Sequence, residues 1–207
     1  KEAHKLVADF VKDKPQVKVS LMMRASAIIE EWVASQQFDI GLAETPPPNN
    51  ALKITEFNLD CVCALRKDDP LSEKVVIEAK DLSGLPLAVL QEDHPNLLHT
   101  KKAFRKQKAK FNPRFELRNF QPALKLVEEG LCYCICDPMT ASSYFDYQQI
   151  EQKLVFRPFR PLVPLSVAIL QPAHRPASLL ASRFSEILTQ ELYDINQQFQ
   201  SPEVESE

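Results

Sequence analysis

The chain has 207 residues, with only 3 glycines against 16 prolines and a net charge of −3. Gly41, Gly84 and Gly130 stand too far apart to write G-x-G-x-x-G or G-x-x-x-x-G-K, so glycine-built phosphate loops are excluded. Hydrophobic content of 44% with 26% charged residues is that of a globular chain, no apolar run reaches the ~18 residues of a membrane span, and the negative balance argues against bulk phosphate-backbone binding.

Ala3, Leu6, Val7, Phe10 and Val11 recur at helical spacing and predict an amphipathic helix over 2–13, ended before Pro15. Lys1 already lies in that rhythm and no Met opens the chain, so the sequence is expected to be a piece of a longer protein. Alternation over 16–21 predicts a strand, Ala25 to Val33 a second helix, 38–42 a strand, and 46–50 a proline-rich loop. Helices and strands alternating in this way imply a parallel sheet with helices on its faces. A long extended stretch over 53–65 leads to Asp69-Pro70, after which the alternation restarts. Strands are expected at 85–90, 114–117 and 131–136, with helices at 96–110, 120–129 and 138–144. Gly130 falls just past a helix end, where a left-handed residue is wanted. Two extended runs, 154–159 and 165–171, precede a last helix carrying Leu180, Phe184, Ile187, Leu188 and Ile195. The restart after Pro70 and the final helix with no strand behind it predict a discontinuous organisation. Residues 1–67 with 170–196 form one subdomain, 68–169 the other, and 197–207 a disordered acidic tail.

Cys61, Cys63, Cys132, Cys134 and Cys136 all sit at i, i+2 spacing inside strand-like runs. Zinc sites space their ligands across a turn, so these thiols read as small buried hydrophobes, with a redox or metal role as the alternative. An odd number without a secretory signal points to a reducing compartment. The stretch Lys101, Lys102, Arg105, Lys106, Lys108, Lys110, Arg114 and Arg118 is locally basic. It reads as the solvated face of a helix buried through Leu97, Phe104 and Phe111, with an anion or nucleic-acid patch as the sharper alternative.

In open α/β sheets ligands bind beyond the carboxyl ends of strands, which here means the turns 22–26, 43–45, 91–95, 119–122 and 137–140. Asn119 and Asp137-Pro138 carry helix-capping chemistry, and free N–H groups at such ends suit carboxylates or phosphates. Capping alone also accounts for each turn. His4, His94, His99 and His174 are scattered, and neither H-E-x-x-H nor G-x-S-x-G occurs, so no catalytic residue, metal or cofactor is expected.

The order of motifs resembles one known family. Phe10-(x)₄-Pro15-x-Val17-x-Val19, the run Gln37 to Ala43, Cys61 to Leu65, Asp69-Pro70-Leu71, Asp81 to Pro86 and Leu126 to Leu131 are similar to the effector-binding domain of LysR-type transcriptional regulators, over residues 5–195. The resemblance implies two Rossmann-like α/β subdomains joined by two crossover strands, as in type 2 periplasmic binding proteins. It also implies a small effector in the cleft, homodimers or homotetramers, a cytoplasmic location away from any membrane, and promoter DNA reached only through an N-terminal winged helix-turn-helix that this sequence does not contain. The family's first strand is likewise missing from the sequence, and Arg24 stands where family members carry Gly. Carried over residue by residue, the cleft takes Met23, Arg24, Ser26 and Glu44 from the first subdomain. From the second it takes Gln91, Glu92, Asn119, Phe120, Gln121, Pro122, Asp137, Pro138 and Thr140. Glu44 and Asp137 beside helix starts suit an organic acid, an amino acid or an opine-like conjugate. A solute-binding protein of a transport system shares the architecture and is the alternative; an enzyme on this fold would need an acid–base pair or phosphate loop that the residues do not supply.

Overall fold

The computed structural model describes residues 3–92, 94–147 and 152–199. In chain order the elements are α1 (Ala3–Val11), α2 (Ser26–Ala34), β1 (Gly41–Glu44), β2 (Leu52–Asp60), β3 (Val62–Arg66), a 3₁₀ turn (Pro70–Glu73), β4 (Ile77–Glu78), β5 (Leu87–Leu90), α3 (Pro95–Lys106), β6 (Pro113–Leu117), α4 (Phe120–Glu128), β7 (Tyr133–Cys136), α5 (Pro138–Tyr147), β8 (Leu154–Arg160), β9 (Pro164–Pro172) and α6 (Leu179–Phe199). Two compact units divide the chain. The first holds the described residues through Asn58 with Ser166–Asp194; the second holds Leu59–Leu165 with the end of α6 from Ile195. The division falls inside β2, β9 and α6, ahead of the boundaries expected at 67/68 and 169/170, because these elements run on unbroken while their packing partners change. Of the expected tail at 197–207, residues 197–199 are the last turn of α6 and the remainder lies outside the described residues.

In the first unit the sheet order is β1-β9-β2, with β1 antiparallel to β9 from Gly41↔Leu170 to Glu44↔Val167. Val33 of α2 packs with Ala43, Leu52, Ala168 and Leu170. The helix lies so close to the sheet that a Cβ on Gly41 would stand 2.6 Å from Ile29 Cγ2 and 3.0 Å from Val33 Cγ2. The strand expected at 38–42 begins only at Gly41, because Phe38 stacks on Trp32 with ring centroids 5.1 Å apart and Asp39 pairs with Arg175 before the ladder starts. The strand expected at 16–21 does not form. No described strand runs alongside it, and alternation alone does not satisfy a ladder's N–H and C=O groups; Val19 and Leu21 are left 49% and 48% exposed.

The second unit is a sheet of order β4-β8-β3-β7-β5-β6. It is mixed rather than parallel throughout. β5 runs parallel to β6 and β7, and β4 to β8, but β3 is antiparallel to both β7 and β8. β3 follows β2 after the single residue Cys61 and enters the sheet between β8 and β7. Side chains alternate between two covered faces. Val62, Ala64, Ala88, Leu90, Cys134 and Cys136 join α4 and α5 on one side. Cys61, Cys63, Leu65, Leu87, Val89 and Ile135 join Leu97 and Phe104 of α3 on the other.

Three helices end in one hydrogen-bonded pattern, and only one of them uses glycine. After α4, Gly130 takes φ +70° and donates to Val127 O, while Leu131 N donates to Leu126 O. Gln36 (φ +62°) and Lys108 (φ +53°) fill the same position after α2 and α3, with Gln37 N to Trp32 O and Ala109 N to Phe104 O closing the loop. This stop at Lys108 is why α3 ends at Lys106 rather than at 110. Gly130→Ala is expected to lower stability by about 1–2 kcal/mol, from left-handed strain on an alanine and from a Cβ 3.1 Å from Arg66 Nη1. Lys108→Gly should raise stability, and urea titration of both variants against the parent checks the two signs.

All five cysteines are free and buried. Burial pushes the Cys132 thiol up to about 11 and holds Cys61 and Cys63 well above the usual thiol range; for Cys136 the hydrogen bond with Cys134, with burial behind it, does the same. A neutral thiol is a poor nucleophile, so maleimide should label the native chain slowly and all five sites rapidly once urea unfolds it. For Cys132 the folded value lies above the unfolded 9.0, so its contribution to stability is intact below 9 and is lost as pH rises towards about 11.

Candidate functional site

The candidates of the second unit lie at strand ends, where sheet gives way to helix; in the first unit Glu44 ends β1, while Met23 and Arg24 precede α2 in a segment that forms no strand. In the first unit, the Glu44 backbone N–H at the end of β1 donates to Ser26 Oγ at the start of α2, at 3.1 Å. That bond ties the strand end to the helix start and engages Ser26. Arg24 Nη1 donates to Met23 O at 2.8 Å, and its guanidinium lies 5.7 Å from the centre of the Trp32 ring. Met23 itself is 87% exposed.

In the second unit the chain leaves β5 for β6 through α3 on one face and returns to β7 through α4 on the other. The carboxyl ends of β5 and β7 therefore flank a topological switch point, and α3, α4 and α5 all begin along this edge of the sheet. Gln91 and Glu92 are exposed in the turn after β5. Asn119 is extended, with φ −151° and ψ 165°, and its side chain makes no capping bond to the first turn of α4. Gln121 and Pro122 are exposed in that first turn, whereas the Phe120 ring is buried in the core among Ala123, Leu124 and Cys134. Phe120 can therefore offer a ligand its backbone N–H and not its ring; Pro122 has no N–H to offer.

Asp137 uses both carboxyl oxygens within its own turn: Oδ1 accepts from Thr140 N and Oδ2 from Thr140 Oγ1, each at 2.7 Å. The residue is half-exposed but the carboxyl lies deep. Burial raises it above the usual carboxylate range, against the opposing pull of the Thr140 bonds. Pro138 follows, buried at the first position of α5. Asp137 and Thr140 are thus brought together as a cap. The candidates of the second unit group at its strand ends, and those of the first around the start of α2 and the end of β1.

Several polar residues at these ends were not anticipated. His94 Nδ1 accepts from Asn96 N at 3.1 Å and caps α3, although histidine is outside the preferred capping set. Asn96, 5% exposed, donates to Cys61 Sγ (3.3 Å) and Ile135 O (3.4 Å), stitching α3 to β7 and to the entry of β3. Its sequence signal is a polar residue on the stripe shared by Leu97, Thr100 and Phe104, all buried. Beyond β1, Thr45 Oγ1 lies 2.8 Å from Ser166 Oγ, which donates to Glu56 Oε1 at 2.8 Å. Among the described residues no cluster of His, Cys, Asp and Glu could hold a metal, and no helix is long and apolar enough to cross a membrane.

Solved structures share this architecture. The regulatory domain of Synechocystis PCC6803 CcmR, in complex with 2-PG, superposes with a TM-score of 0.69 at 16% identity, covering 91% of this chain and 90% of that one. The BenM effector binding domain with its effector benzoate gives 0.68 at 19% identity, covering 99% and 91%. The fold is thus that of α/β domains of type 2 periplasmic-binding-protein form. The family described as the LysR substrate binding domain matches residues 3–193. The chain belongs to this family: it is an effector-binding domain of the LysR-type transcriptional regulators.

Among curated proteins, it is 29% identical over 181 residues to the transcriptional activator protein LysR of Escherichia coli K12. It is 30% identical over 186 residues to the regulatory protein NocR of Agrobacterium tumefaciens T37. These matches take in 87% and 88% of this chain but 57% and 60% of those proteins, so the chain spans little more than half their length. The relatives are transcriptional regulators and not enzymes or transport proteins.

Asp137→Asn keeps a capping side chain and removes the titration. Because the folded carboxyl sits above its ordinary value, the stability tied to its proton is present at low pH and lost as pH rises through the raised value. Urea melts across the acid range should therefore show the parent falling relative to Asp137→Asn as pH increases, while Asp137→Ala loses about 0.5–2 kcal/mol at neutral pH.

Proposed function

We propose that the domain senses a small carboxylate-bearing molecule, either an organic acid, an amino acid or an amino-acid conjugate of the opine kind. In the whole protein this sensing controls promoter binding by a winged helix-turn-helix outside the present sequence, in a cytoplasmic homo-oligomer. The observation that carries the effector class is the start of α4. Asn119 leaves the first-turn N–H groups without a side-chain cap at the amino end of a helix dipole, which favours an anion. Relatives support it. The chain is 24% identical over 172 residues, 83% of its length, to the octopine catabolism/uptake operon regulatory protein OccR of Rhizobium meliloti, and BenM was solved with benzoate, itself a carboxylate.

In the first unit Arg24 is the candidate cation, with Met23 and Ser26 beside it, and Glu44 the candidate partner for an amine. In the second unit Gln91, Glu92, Asn119, Phe120, Gln121, Pro122, Asp137, Pro138 and Thr140 remain the candidate contacts, Phe120 through its backbone and Asp137 alongside its capping bonds.

The test is calorimetric titration of the chain with benzoate, lysine, octopine and related conjugates. Arg24→Ala should weaken the carboxylate that binds by roughly ten- to a hundredfold, the loss of one charge-assisted contact of about 1.5–3 kcal/mol. Unchanged affinity would remove Arg24 from the site, and no binding by any carboxylate would reject the proposed class.

A further inference from the structure

In the first unit one face of the β1-β9-β2 sheet changes character along its length. Ala43 of β1, Ala168 and Leu170 of β9 and Leu52 and Ile54 of β2 form an apolar layer against α2. Side chains two apart along a strand share a face, so the next positions on this face are Thr45, Ser166 and Glu56. All three are polar. They follow directly on the end of β1, where the Glu44 N–H bonds to Ser26 Oγ at the start of α2.

Their hydrogen bonds form a chain with one direction. Ser166 Oγ donates to Glu56 Oε1 at 2.8 Å and lies 2.8 Å from Thr45 Oγ1. A carboxylate only accepts, and a serine hydroxyl has a single proton. That proton is committed to Glu56, so the Thr45 hydroxyl must donate to Ser166. The Thr45 N–H is taken as well, by Ser166 O at 3.1 Å. Thr45 Oγ1 is therefore left as an acceptor, with a carboxylate standing one hydroxyl behind it. Among the described residues nothing else bonds to Thr45 Oγ1, and no cation pairs with Glu56. An outward-donating threonine would suit a carboxylate; this one suits a positively charged donor.

We infer that Thr45 recognises a charged amine on the effector, with Ser166 and Glu56 as the positioning residues that hold its hydroxyl in the accepting direction. The inference rests on the effector reading proposed above and narrows it to amino acids and conjugates that keep an ammonium group. In the bound state the ammonium N–H donates to Thr45 Oγ1, Thr45 to Ser166 and Ser166 to Glu56. An acid without an amine meets a lone pair there and gains nothing from it.

The test is calorimetric titration of the full chain with lysine, norleucine and octopine, and with the amine-free acids hexanoate and benzoate. Hexanoate is norleucine without its amine. An amine-bearing probe should bind at least about tenfold more tightly than either amine-free acid. Thr45→Val, close in shape but without the hydroxyl, should lower that preference roughly tenfold, and Thr45→Ser should keep it. Glu56→Gln should lower it too, because the amide can donate to Ser166 and release the direction of the chain. Glu56 is exposed, so this variant serves even where circular dichroism shows Thr45→Val to be misfolded. Amine-free acids that bind as tightly as the others, or a preference unchanged in Glu56→Gln or in folded Thr45→Val, would overturn the inference and leave the carboxylate reading standing. So would a Thr45→Val that weakens every probe alike, the mark of a structural role only. Binding by none of the five probes would overturn both.

Discussion

The second unit depends on one constraint: strands β3 and β7 are covered on both faces. A strand buried on both sides leaves no position along its length for an unpaired polar group, since each would cost several kcal/mol. Polar chemistry is therefore displaced to the strand ends, where helices start and N–H groups lack intrahelical partners. Asn119, Asp137, Thr140 and His94 all sit at that edge. Asn96 is one of the polar side chains turned inward, and it is held by the Cys61 thiol and the Ile135 carbonyl. The candidate site is thus a consequence of how the sheet is covered.

The first unit is built differently. Its sheet has three strands, and the helix α2 is fastened to it by the close approach at Gly41 and by the bond from Glu44 N to Ser26 Oγ. The segment between α1 and α2 makes no ladder and leaves Val19, Leu21, Met22 and Met23 exposed. The two units therefore show the same alternating pattern with opposite outcomes: where neighbouring strands exist the apolar residues are buried, and where none is described they are not.

The helices were legible because their apolar residues recur at helical spacing regardless of what surrounds them; α2, α4 and α6 lie close to where their periodicity put them. Strands depend on partners. The run at 16–21 has the alternation of a strand and no neighbour, and the two-residue β4 has a neighbour and no visible alternation. The parallel expectation missed the antiparallel placement of β3 for the same reason, since local pattern carries no information about which strand lies alongside. The end of α3 was misjudged because Lys108 occupies a left-handed position that only Gly, as at Gly130, would have advertised. At the site, the turns were legible from capping chemistry, but hydrogen bonds between distant residues were not. Nothing local announces that Ser166 meets Thr45 and Glu56, or that the ring of Phe120 turns into the core.

The alternation of β3 and β7 also sorts the sulfur atoms. Cys61 and Cys63 point to the α3 face, while Cys132, Cys134 and Cys136 point to the α4 face. Val62 stands opposite Cys136 and Ala64 opposite Cys134, so no thiol on one strand faces a thiol on its neighbour across the ladder. Bridging two cysteines requires Cβ atoms about 3.5–4.5 Å apart and directed at each other, and side chains on opposite faces of a pleat are directed apart. An oxidising pulse would therefore find no pair in β3 and β7 to join between the strands: the chain can be rich in cysteine without acquiring a cross-link that would lock its sheet.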